Sequence, residues 1–212
     1  MTWADAILRL LIRRRDRDTI SGDLLEEYRD HVLPTRGRSA ALFWYVRQIL
    51  SFVSPLTWGL LIGVVLGSLQ LIDTAVEPLA EDTPGAMIVI FGVMLSLWTL
   101  ASIAAALPSR RYTRAIAAGI LAGVATMAVL NLTAIARVNI FLDQIRHRDD
   151  WINLVARFDA SGFQSLRAYA NWEYLRGTPT ILGLGAVAGG VCGAIAGLIT
   201  RVTTTALPRA SS

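Results

Sequence analysis

Residues 177–200 read GTPTILGLGAVAGGVCGAIAGLIT, 24 residues without a charge, bounded by Arg176 and Arg201. A helix needs about 20 mostly apolar residues to cross a bilayer, so this stretch predicts a membrane span. Its glycines Gly185, Gly189, Gly193 and Gly197 recur every four residues and share one helix face. In lipid, helices associate by close packing, and small residues at this spacing let two backbones approach. The stretch therefore predicts both a span and a closely packed partner helix.

The pattern repeats along the chain. There are 25 uncharged residues between Arg47 and Asp73, 27 between Asp82 and Arg110, and 22 between Arg114 and Arg137. The first of these carries Gly59, Gly63 and Gly67 in the same four-residue register, and the third carries Gly119 and Gly123. Charged residues make up 17% of the 212 residues, all of them outside the four runs, which accounts for a mean hydropathy of +0.50. The expected fold is an all-α integral membrane protein with four transmembrane helices at about 54–74, 85–107, 114–136 and 179–200. A small cytoplasmic helical domain is expected over 1–50, and residues 51–212 form the transmembrane domain, with an external amphipathic segment, 137–178, between spans three and four.

Orientation follows from the arginines. The basic cluster Arg13, Arg14, Arg15 and Arg17 is followed by polar sequence rather than an apolar core, so no cleavable signal peptide is expected. With the amino end inside, residues 1–47, 110–114 and 201–212 sum to +7, and residues 73–82 and 137–176 sum to −3. The positive-inside rule then predicts four spans with both termini cytoplasmic.

Residues 1–50 show helical periodicity in three short pieces: Trp3, Ile7, Leu10 and Leu11; Ile20, Leu24 and Tyr28; and Leu42, Tyr45, Ile49 and Val53 beyond a break at Pro34-Thr35-Arg36-Gly37. The stretches Gly22-Asp23-Leu24-Leu25-Glu26-Glu27-Tyr28-Arg29, Arg36-Gly37-Arg38 and Trp44-Tyr45-Val46-Arg47-Gln48 together resemble the cytoplasmic permease prefix domain found ahead of some bacterial MacB/FtsX-like ABC transporter permeases. The resemblance covers roughly the first quarter of the chain. It implies a docking or regulatory module in which Asp23, Glu26, Glu27, Tyr28, Trp44 and Arg47 contact an ABC permease or its ATPase.

Several activities are excluded or disfavoured by residue type. The basic residues are 20 arginines and no lysine, so a P-loop lysine or a Schiff-base lysine does not exist here. The single cysteine, Cys192, lies in the fourth run and reads as a small helix- or lipid-facing residue. The two histidines, His31 and His147, fall on opposite sides of the membrane in this topology, and no His-Glu-x-x-His or Gly-x-Ser-x-Gly sequence occurs. No Asp, Glu, Arg or His interrupts the runs, as proton or ion pathways usually require. Gln70, Ser96, Thr99, Thr126, Asn131 and Thr133 are their notable polar residues, and Asn131 is expected to hydrogen-bond between helices near the external end.

In the segment 137–178, one amphipathic helix is expected from Val138 through Phe158, and a second after Ser161-Gly162 along Phe163, Leu166, Tyr169 and Trp172. These helices are expected to cap the bundle or lie at the outer interface. Asp143, Asp149, Asp150 and Asp159 alternate with Arg146, Arg148 and Arg157, which reads as a solvated face rather than a cation site. The basic balance is explained by topology and anionic lipid, not by nucleic acid.

The expectation is therefore a non-enzymatic inner-membrane accessory or regulatory protein without a cofactor or metal. Its partners would be the lipid bilayer and an ABC permease or ATPase. The alternatives are a small homo-oligomeric transporter or lipid-handling protein assembled through the glycine faces, and a membrane sensor coupled to a transcription regulator.

Overall fold

The computed structural model describes residues 26–35, 37, 39–41, 44–45, 54–79, 83–107 and 111–205. Among them all regular structure is helical: α1 (Pro55–Val76), α2 (Pro84–Ala106), α3 (Tyr112–Ile145), α4 (Ile152–Asp159) and α5 (Leu166–Thr205), with a single wide helical turn at Tyr28–Val32 and a tight one at Asp149–Trp151. α1, α2, α3 and α5 are each long and apolar enough to cross a membrane.

The first two spans start on the same local signal. Ser54 Oγ accepts from Thr57 N at 3.1 Å and Thr83 Oγ1 accepts from Ala86 N at 3.3 Å, each just before a proline at the first helical position. The cap satisfies an amide that has no partner in its own helix, and proline there forfeits no helical hydrogen bond while fixing φ.

Glycine contacts give the directions of the spans. Gly59 faces Ala122 and Ala125, Gly63 faces Thr126 and Val129, and Gly67 faces Thr133, so α1 and α3 run parallel. Gly123 meets Gly185, Gly119 meets Gly189 and Gly193 meets Ala115, so α3 and α5 run antiparallel. The bundle therefore alternates in direction, and α3 and α5 form its most intimate pair. All four spans supply the central cluster: Ile62 from α1, Met94 and Trp98 from α2, Ala122 from α3 and Cys192 from α5. Large apolar side chains cover the outside, among them Val64, Val65 and Ile72 of α1, Ile88 and Val89 of α2, and Val187 and Leu198 of α5. An exposed apolar surface this extensive suits a lipid solvent.

The segment 137–178 differs from expectation. α3 passes Arg137 without a break and ends at Ile145, and the second expected amphipathic helix is the first third of α5. Only α4 and the turn before it are separate elements. No glycine or proline lies between Gly123 and Gly162, so nothing in the backbone stops α3 where its surroundings turn polar. α5 even includes Pro179, whose missing N–H removes one helical hydrogen bond. Next to it, Thr178 Oγ1 donates to the Tyr174 carbonyl at 3.0 Å and accepts from Asn131 Nδ2 at 2.8 Å, which ties this turn to α3. Neighbouring helices and Ser/Thr hydroxyls are what make proline tolerable within membrane helices.

At 1.5 Å per residue, α3 is about 51 Å long and α5 about 60 Å, well beyond the ~30 Å of a bilayer core. The surplus of both helices, closed by α4, forms a head with its own core of Val138, Leu142, Ile145, Trp151 and Ala170.

Candidate functional site

Polar groups occur as successive layers along α3, the first joining it to α1 and α2 and the later ones to α5. In the first layer, Trp98 Nε1 of α2 donates to Thr126 Oγ1 at 3.0 Å, and that oxygen lies 3.0 Å from the Gly59 carbonyl of α1 and 2.9 Å from the Ala122 carbonyl of its own helix. Trp98 is completely buried. One hydroxyl thus connects three spans in an apolar interior, where an unpartnered indole N–H would be costly.

The glycine layer explains how that node closes. At Gly119, a Cβ would overlap the Gly189 carbonyl oxygen, and at Gly189 it would overlap that of Gly119. At Gly123 it would overlap the Gly185 carbonyl, at Gly193 that of Ala115, and at Gly197 the Tyr112 ring. The register Gly185, Gly189, Gly193, Gly197 therefore faces α3 of the same chain, while Gly59, Gly63 and Gly67 face an adjoining side of α3, against Ala122, Ala125, Thr126, Val129 and Thr133.

Above the Asn131–Thr178 contact, α3 and α5 are linked again in the head by Asn139 and Asn171, whose amides exchange hydrogen bonds at 3.0 and 3.2 Å. Between these two layers sits Arg137, 7% exposed, with its Nε buried and without a hydrogen-bond partner. The second buried arginine, Arg148, donates from Nε to Asp150 Oδ1 at 3.0 Å. Phe158, Phe163, Tyr169 and Trp172 form a chain of ring contacts with centroid separations of 5.3–6.2 Å, and the Arg176 guanidinium lies 5.1 Å from the Trp172 ring centroid. Tyr169 Oη donates to Glu173 Oε1 at 2.9 Å. An aromatic and arginine collar at the end of an apolar span has the composition of an interfacial belt.

Of the residues assigned to partner docking, Glu26 and Glu27 are exposed, Tyr28 is half-buried against Tyr45 with ring centroids 5.3 Å apart, and Trp44 is half-buried. Val32, Ala41 and Tyr45 are buried. Asp23 and Arg47 lie outside the described residues, as do Trp3, Ile7, Leu10, Leu11, Ile20 and Leu24. Within the expected break Pro34-Thr35-Arg36-Gly37, Pro34 does not interrupt the helix, which runs through it to Thr35, whose Oγ1 donates to the His31 carbonyl at 2.6 Å. Gly37 takes the left-handed φ of +74° instead, a conformation that glycine adopts without the steric cost other residues incur.

Cys192 is buried in the central cluster. Among the described residues, no group of three His, Cys, Asp or Glu side chains converges as a metal site. Arg137 entered the sequence reading only as the end of an uncharged run, and its burial had no sequence signal. Trp98 was not singled out either, because helical spacing does not identify which side chain meets which across helices. A scan of protein families and searches of curated proteins and solved structures find no match to this chain.

Proposed function

We propose that this chain is a non-enzymatic accessory or regulatory protein of the bacterial inner membrane. Its amino-terminal segment docks an ABC permease or its ATPase in the cytoplasm, and its head stands on the outer side. The observation that carries this reading is the filled centre of the bundle. Trp98 and Met94 are fully or almost fully buried where all four spans meet, and Thr126 ties the indole to two neighbours. Such a core suits a rigid anchor better than a conduit. The glycine faces on which a homo-oligomeric transporter would be built meet the chain's own helices.

The exposed pair Glu26 and Glu27 beside the Tyr28–Tyr45 contact supports an acidic docking surface backed by aromatic packing. The bias of arginine toward one side of the spans supports the orientation. The test is affinity purification of the full-length protein from its native membrane after carboxylate-directed cross-linking, beside the double variant Glu26→Arg, Glu27→Arg. An ABC permease or ATPase should accompany the wild type and be lost with the variant. Recovery of a transcription regulator instead would favour the sensor reading, and equal recovery with both proteins would refute docking through this surface.

A further inference from the structure

We propose that Arg137 is the seat of a phosphate-binding site at the head end of the bundle. The argument starts from an imbalance. A guanidinium keeps its charge throughout the physiological range and offers five donors, and a buried charge is stable only when paired and hydrogen-bonded. Arg137 is 7% exposed and its Nε is sealed without a partner. Among the described residues, no carboxylate forms an ion pair with it.

The described acids at this end are otherwise placed, while Glu81 and Asp82 lie outside the described residues. Asp73, Glu77 and Asp143 are exposed, and Glu173 accepts from Tyr169. Arg148 is the internal comparison, a buried arginine that does have a carboxylate, Asp150, at 3.0 Å.

Depth narrows the class of anion that Arg137 would take. Arg137 ends a run of 22 uncharged residues that begins after Arg114, and at 1.5 Å per residue that run is about 33 Å long, close to the ~30 Å hydrocarbon core. Arg137 therefore stands at the level of lipid phosphates. It also shares a helix face with Thr133, one turn earlier, which packs on Gly67 of α1. The same face carries Gly119 and Gly123, 18 and 14 residues earlier, which meet α5, so the Arg137 side of α3 is turned into the bundle toward α1 and α5. The planar guanidinium fork matches a phosphate through two parallel hydrogen bonds. A phospholipid headgroup and a free phosphate offer the same chemistry, and the following experiment separates them.

Full-length protein is delipidated in detergent, and its melting temperature is read alone, with phosphatidylglycerol, with a phosphate-free glycolipid and with inorganic phosphate. Native mass spectrometry reports retained lipid. Phosphatidylglycerol should raise the melting temperature of the wild type by several degrees and remain bound, while the glycolipid should do neither. The same rise with inorganic phosphate alone would assign the site to the free ion. Arg137→Gln should abolish the response, whereas the surface variant Arg176→Gln should keep it. Without any phosphate, Arg137→Gln should melt no earlier than the wild type, because it removes an unpaired charge. The proposal is overturned if Arg137→Gln responds like the wild type, if the glycolipid acts as well as phosphatidylglycerol, or if Arg137→Gln is destabilised or unfolded without ligand.

Discussion

Replacing Gly189 by alanine adds one methyl group where α3 and α5 are closest. That methyl would overlap the Gly119 carbonyl oxygen and stand 3.3 Å from the Gly123 Cα. Both obstacles are backbone, so no side chain can rotate away and the helices must separate. A gap of about 0.5–1 Å forfeits a quarter to a half of each dispersion contact along the seam, and overpacking of this kind costs about 1–3 kcal/mol. Gly183 and Gly92 provide the contrast, since a Cβ at either meets nothing within 4 Å. There, alanine should be neutral or stabilising by up to about 1 kcal/mol through helix propensity. The same substitution is thus expected to have opposite signs at positions six residues apart on one helix. Thermal or denaturant unfolding in a single detergent, with size-exclusion chromatography to follow assembly, measures both. If Gly189→Ala matched Gly183→Ala in stability, or if it changed oligomeric size while the folded chain kept its stability, the intrachain seam would be wrong.

Thr126→Val should cost about 1–3 kcal/mol, because the buried Trp98 N–H loses its acceptor, whereas Thr126→Ser should retain most of the stability; tryptophan fluorescence during thermal unfolding distinguishes the two. The Asn131–Thr178 hydrogen bond should show a coupling of about 0.6 kcal/mol, and at most about 1.7, in a double-mutant cycle of Asn131→Leu and Thr178→Val, in line with interhelical bonds in other membrane bundles. Strict additivity of the two changes would mean that the contact contributes nothing.

What could be read from the sequence follows from how local each signal is. Four spans are legible because uncharged runs and their lengths are properties of contiguous residues, and the ends of α1 and α2 fall close to the expected ones because Ser54-Pro55 and Thr83-Pro84 are local start signals. The glycine register of α5 is legible as a packed face, but periodicity cannot say which helix fills it. That depends on Gly119 and Gly123, more than sixty residues earlier in the chain. Helix ends in the segment 137–178 were misplaced for a different reason. The hydropathy pattern changes at Arg137 and at Gly177-Thr178-Pro179, but the helical backbone continues through both, losing only the hydrogen bond that Pro179 cannot donate. The interhelical bond expected of Asn131 is present, because an amide in an apolar span has few alternatives. The Trp98–Thr126 node joins residues 28 apart, and nothing in either local sequence announces it.

We propose that α3 and α5 of one chain run together through the membrane and carry the head on its outer side. Asn139 and Asn171, which exchange hydrogen bonds across that head, offer the direct measurement. In a Cys192→Ala background, Asn139→Cys and Asn171→Cys would be the only thiols. They are exposed, in intact cells, to a short membrane-impermeant bismaleimide, and products are resolved on a denaturing gel. An intrachain link in a monomeric band is expected without permeabilising the cells. A cross-linked dimer, or no reaction until the membrane is opened, would contradict it.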